Sequence, residues 1–277
     1  MRLALDYKIV LLMAFILLPT TKTLLASDVI MSHVTDEVDV YLKEGQVNEN
    51  WDDYVIKGFK AYANSDFDNA RLNLQKAYDA GCRDGFVLFR LTISYAVQDM
   101  CQQAIKYGKE AIPYYREQYP KKFKDSSLFQ VIGDCSNGNE AIEYYRQGLE
   151  NNPNDVSARL NRAHELVQLN RIDAAQKEFL AIIEGGRVSS YGFGVAYNGL
   201  GRIAKGRGNY RQAIKYYQKA YELRDGGVDA WGIALSYEGL KDYKSARYYW
   251  NKAADAYGHN DEWGRQALQR ARQLEGY

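Results

Sequence analysis

Prolines, histidines, cysteines and net charge are all in short supply in this chain, and each shortage removes a class of protein. Four prolines among 277 residues leave no collagen-like or proline-rich disordered stretch, and the apolar and charged fractions are those of an ordinary globular chain. A formal charge of +1 with the two signs interspersed lacks the basic excess with which nucleic-acid binders neutralise phosphates. The three histidines, His33, His164 and His259, are scattered, without the paired spacing of a metal site or a nucleophile partner. The stretch "GLGRIA" from Gly199 imitates the start of a dinucleotide fingerprint, but it lies inside a helical pattern where no strand aims a phosphate at a helix N-terminus. These absences predict a non-catalytic chain with no metal and no cofactor.

What is present begins with a leader. Arg2 and Lys8 flank the apolar run "IVLLMAFILL", followed by Pro19 and a polar stretch, the pattern of a secretory signal peptide over residues 1–26. Ten residues are too few to cross a bilayer comfortably, so membrane contact is expected only if this segment stays uncleaved as an anchor. Its removal takes away three bases and one acid and turns the charge from +1 to −1. No Asn-x-Ser/Thr acceptor occurs, which favours a bacterial periplasm or cell envelope over a eukaryotic secretory route.

Beyond the leader, similar phrases return. "EAIEYYRQGLE", "QAIKYYQKAYEL" and "SARYYWNKAADAY" each open on a small residue and then place paired aromatics. Taking that small residue as a marker gives Ala70, Ala104, Ala141, Ala175, Ala213 and Ala246, at intervals of 34 residues or within one of it, apart from two longer steps. The longer steps coincide with inserts near "EQYPKKFK" and "GRVSSYGFG". Between markers the apolar residues fall at helical spacing, broken by "NSDF", "SNGN", "GRGNY" and "LKDY", so each unit reads as two antiparallel helices.

The residues that carry the best phrase, Tyr197, Leu200, Gly201, Ala204, Tyr210, Ala213, Tyr217 and Ala220, resemble a tetratricopeptide repeat (TPR). Ala234, Tyr237, Tyr243, Ala246, Trp250 and Ala253 repeat the resemblance, and the units around Ala70 and Ala104 match well. Those around Ala141 and Ala175 are weaker, with Gly148 in place of alanine and Arg162 at an apolar site. The resemblance implies an all-α, right-handed superhelical solenoid of six hairpins over residues 51–256. An N-terminal helical segment (27–50) precedes it and a capping helix (257–277) follows, with Trp263, Ala267, Leu268, Ala271 and Leu274 turned inward. Gly201 and Ala213 are expected to admit a close helix crossing and Tyr217 to fill the wedge between units. A larger residue at Ala213 should cost roughly 1–3 kcal/mol.

If the hairpins stack as in that family, the first helix of each lines a concave face. Its expected exposed residues are Phe59, Tyr62, Phe86, Phe89, Ile93, Leu160, His164, Asn198, Arg202, Lys205 and Trp231. The first half of this face is aromatic, and its rings either meet a partner or pack against the N-terminal segment or neighbouring helices; the fifth unit offers an amide and two cations, suited to an acidic side chain or a terminal carboxylate. The expected partner is therefore a protein or peptide segment. An alternative is an assembly subunit of an envelope or secretion complex that uses convex and end surfaces, with Tyr144, Tyr216 and Tyr248 outward. Cys101 and Cys135 both fall near turns of adjacent units and form either a disulfide or two buried free thiols.

Overall fold

Thirteen α-helices account for the regular structure of the described residues of the computed structural model, 51–123, 126–185, 189–224 and 226–276. The expected signal peptide and N-terminal helical segment lie outside them. The chain divides between Pro153 and Asn154 into two units. Unit 1 holds α1 (Asp52–Ala63), α2 (Phe67–Asp79), α3 (Gly85–Ala96), α4 (Cys101–Gln118), α5 (Ser127–Cys135) and α6 (Gly138–Asn151). Unit 2 holds α7 (Val156–Gln168), α8 (Ile172–Gly185), α9 (Ser190–Gly206), α10 (Tyr210–Arg224), α11 (Gly227–Gly239), α12 (Tyr243–Tyr257) and α13 (Glu262–Gln273). Within each unit every helix packs on the next, giving three hairpins in unit 1 and three plus a final helix in unit 2. The all-α class and the six hairpins agree with the sequence.

Five of the six hairpins turn by the same device, and in the α5–α6 hairpin the left-handed residue is Gly138 (φ 59°), the first residue of α6. Ser65, Asp99, Asn170, Gly208 and Lys241 have φ between 58° and 75°, and each stands two residues before the second helix of its hairpin begins. One left-handed residue reverses the chain in three or four residues. Where that residue is not glycine, it departs from the usual preference and tightens the turn at some cost in backbone energy. Aspartates then cap the following helices: Asp66 accepts from the Asn69 N–H at 3.1 Å and Asp242 from the Ser245 N–H at 3.1 Å, satisfying donors that a helix start leaves open.

All six marker alanines are fully buried, and each is the fourth residue of a second helix. The spacing legible in the sequence is thus the spacing of the helix crossings. Tyr217 shows what the small residues permit. A Cβ added at Gly201 would lie 2.8 Å from its ring, and one added at Gly232 would lie 2.6 Å away, so the ring is seated against α9 on one side and α11 on the other. Full burial of such a side chain contributes about 1.5–3 kcal/mol.

The two weaker repeats have visible supports. In unit 1 the nine-residue α5 is tied to the preceding hairpin by a disulfide between Cys101 and Cys135, Cα atoms 4.9 Å apart, and its partner α6 by Lys109 of α4 to Glu140 at 2.8 Å. Cys82 is the remaining cysteine, buried, with its thiol pushed up to about 11 by burial; it is a poor thiolate and a poor agent of exchange. In unit 2 Arg162 is explained by Glu178, which receives both Arg162 (2.7 Å) and Arg159 (2.9 Å) across the α7–α8 hairpin.

The last helix covers the apolar end of unit 2, as a repeat array requires. Ala267, Ala271 and Leu274 are buried, and Leu268 packs on the same core. Glu238 anchors the cap: one carboxylate accepts from Trp250 Nε1 at 2.7 Å and from Arg270 Nε at 2.9 Å. No helix of the described residues is long and apolar enough to cross a membrane.

Candidate partner-binding surfaces

The aromatic half of the expected face is not open. Phe59, Tyr62, Phe86, Phe89 and Ile93 are each no more than 4% exposed, a correction to the exposure read from helical geometry. The rings pack on one another and on the longest helix of the unit. Phe59 meets Phe86 edge-on at 5.6 Å, Phe86 lies 6.2 Å from Tyr115 and 5.8 Å from Tyr119, and Phe89 lies 5.4 Å from Tyr115. Arg90 lays its guanidinium over the rings of Tyr62 and Phe86, 4.8 Å from each centroid, a cation–π contact that lets a charge sit in an aromatic bed. Neighbouring helices thus supply most of the cover, and the insert after α4 adds to it at Phe86. That helix runs 18 residues, and the chain beyond it returns over the start of α3, with Lys122 4.8 Å above Phe86.

Unit 2 keeps its polar face. Asn198, Arg202 and Lys205 lie along α9 at spacings of four and three, hence on one side of the helix, and His164 on α7 completes the group; all four are half-buried. Lys205 is brought down to about 8, first by burial and then by the positive charge of Arg202. His164 is brought down to about 4 by burial and by the same Arg202, so it is neutral at pH 7; its ring stands edge-on to Phe179 at 5.8 Å. Arg202 is itself lowered by burial, with Tyr217 opposing. The charge acting on Lys205 is thus the positive one of Arg202.

Asn198 plays a second part that the sequence did not announce. Its Nδ2 donates to Asp229 Oδ1 at 2.6 Å, and Arg224 Nη2 donates to both Asp229 oxygens at 2.8 Å. Asp229 is fully buried, and burial raises its carboxyl against the pull of Arg224 and Asn198. A Cβ on Gly194 would lie 2.5 Å from Arg224 Cγ, so this glycine gives the arginine its path along α9. The amide counted toward ligand binding is in part a structural donor.

Trp231, assigned to the same face, is turned to the capped end. It is half-buried and stands edge-on to Trp250 at 4.6 Å and to Trp263 at 5.7 Å. Of the outward tyrosines, Tyr248 is 57% exposed, whereas Tyr144 is packed against the unit 1 core and Tyr216 stacks on Tyr197. Among the described residues no group of three or more His, Cys, Asp or Glu could hold a metal ion.

Residues 194–226, which span α9 and α10, match the family model for the tetratricopeptide repeat. Repeats of this family are non-catalytic scaffolds. A comparison with curated proteins finds no match. Solved structures share the fold. PilW, a type IV pilus biogenesis factor, is 13% identical, with 80% of this chain and 100% of that one covered and a TM-score of 0.59. YrrB, a TPR protein with an unusual peptide-binding site, is 18% identical over 76% of this chain and 99% of that one, TM-score 0.55. A chain of the APC/C hetero-tetramer Cut9-Hcn1 is 15% identical over 86% of this chain, TM-score 0.56, and this chain spans only 45% of its length.

Proposed function

We propose that this chain of tetratricopeptide-type hairpins is a protein-interaction module that holds an acidic segment of a partner protein on the α7–α9 face of unit 2. The observation that carries the reading is the charge at Arg202 and Lys205: two half-buried cations one turn apart, where burial and mutual repulsion weaken the hold on the Lys205 proton. A carboxylate placed between them offsets the mutual repulsion, and Coulomb attraction in a partly dehydrated groove is several-fold stronger than in water. Neutral His164 and the Asn198 amide add hydrogen-bonding edges beside the charge. Chains of similar fold include a TPR protein with an unusual peptide-binding site and a type IV pilus biogenesis factor, and a shared fold does not by itself fix a duty.

The same reading places the chain outside the cytoplasm, in a bacterial envelope. The apolar leader supports it, and so does the Cys101–Cys135 disulfide, since such bonds persist where the compartment oxidises thiols. A second reading, an assembly subunit that works through its outer surface, draws support from Tyr248, the most exposed of the outward tyrosines.

The experiment is a screen of free-carboxylate and amidated acidic peptides against the full chain. Arg202→Glu with Lys205→Glu is expected to lower affinity at least tenfold while helicity and melting temperature stay put. Undiminished binding by the double variant would remove the α9 face from the proposal, and loss on Tyr248→Ala instead would favour the second reading.

A further inference from the structure

We propose that residues 117–123 form a removable strap that covers the Phe86 end of the aromatic row of unit 1 as a built-in ligand, and that this end of the row accepts a segment pairing an aromatic residue with a base. The contacts of the strap divide into a latch and a filling. The latch is polar and sits on the first turn of α3. Gln118 Oε1 accepts from the Gly85 N–H at 2.7 Å, and Tyr119 Oη donates to Asp84 Oδ2 at 2.6 Å. The other oxygen of Asp84 is engaged in capping α3, accepting from the Phe86 and Val87 N–H groups. A single aspartate therefore both starts the helix and holds the strap.

The filling is aromatic and cationic. Tyr119 faces Phe86, Lys122 stands over Phe86, and Phe123 lies 6.0 Å from Tyr115 and 5.6 Å from Phe129. The Phe123 carbonyl accepts from Asn151 Nδ2 at 3.1 Å, the far tether. Covalent continuity gives the strap a high effective concentration over the row, so a free segment competes only when the latch is weakened. Because the strap shows which chemistry the row accepts, its own sequence, EQYPKKF, supplies the probe.

Fluorescein-labelled EQYPKKF is titrated into the full chain and into a variant with residues 119–123 replaced by a glycine–serine linker of equal length. The variant is expected to bind at least tenfold more tightly than the parent, and a scrambled peptide not to bind. Equal or absent binding by a variant of parental helicity overturns the proposal. If the linker variant loses helicity, Tyr119→Phe with Gln118→Ala removes the latch and keeps the rings. Amides of residues 117–123, Pro120 aside, should then exchange at least tenfold faster than those of the first turns of α4, and unchanged exchange overturns the strap. Neither result touches Arg202 and Lys205, so this test and that of the α9 face fail independently.

Discussion

Unit 1 and unit 2 use the same hairpin and spend their first helices differently. In unit 1 that face is a row of rings covered at its Phe86 end by the strap, and the hairpins are tied by a disulfide. In unit 2 the corresponding helices carry cations and an amide, and the tie is a buried carboxylate, Asp229, shared by Asn198 and Arg224. The difference teaches that the repeat period governs helix crossings only. The marker alanines are equally buried in both units, while the residues one step round the helix are free to become core in one unit and surface in the other.

The comparison is broken most severely at its two ties. Asp229→Ala leaves Arg224 buried without its counter-charge and should destabilise unit 2 by about 3–5 kcal/mol. Hydrogen exchange read helix by helix checks this, with protection lost in α9 to α11 and kept in α1 to α4; equal loss in both units would mean that they unfold together. Removing the tie of unit 1, Cys101→Ser with Cys135→Ser, opens a loop of 34 residues and should cost about 2–4 kcal/mol, with α5, the shortest helix, exchanging first. In the parent, an alkylating reagent applied without reduction should modify one cysteine, Cys82, and only after unfolding.

What the sequence made legible follows from which requirements are local. A helix crossing admits only small side chains, so alanines at a fixed period declare themselves, and the capping helix shows its apolar stripe at Ala267 and Ala271. The return of the insert over Phe86 depends on contacts between residues more than thirty apart, which no periodicity records, so helical spacing alone does not decide between an open row and one packed on its neighbours. The turns "NSDF" and "LKDY" are legible, but the left-handed backbone at Ser65, Asp99, Asn170 and Lys241 is not, because glycine, the usual mark of it, stands only at Gly138 and Gly208 among the hairpin turns. The burial of Asp229 is visible only once Arg224 is known to reach it along Gly194. The polar groove residues His164, Asn198, Arg202 and Lys205 were legible as a set on first helices, but the structural share taken from Asn198 was not.

The smallest effect expected is a difference in acid response. His164 is held near 4 in the folded chain, below the ordinary histidine value of about 6.5. Between those two values the unfolded chain binds more protons than the folded one, so this group withdraws stability from unit 2 as the pH falls through that window. Unit 1 has no histidine among its described residues. Urea midpoints of the parent and of His164→Phe, which keeps an edge-on ring against Phe179, should therefore converge as the pH is lowered from 7 to 4 if the phenylalanine begins less stable, or separate in its favour if it begins equal. Parallel midpoints across the window would show that the imidazole is not held neutral. The same electrostatics act in the opposite direction at the other end of the scale, because Lys205 sheds its proton near 8. Capture of an acidic peptide on the α9 face should weaken above that pH in the parent and much less so in Lys205→Arg, whose guanidinium stays charged.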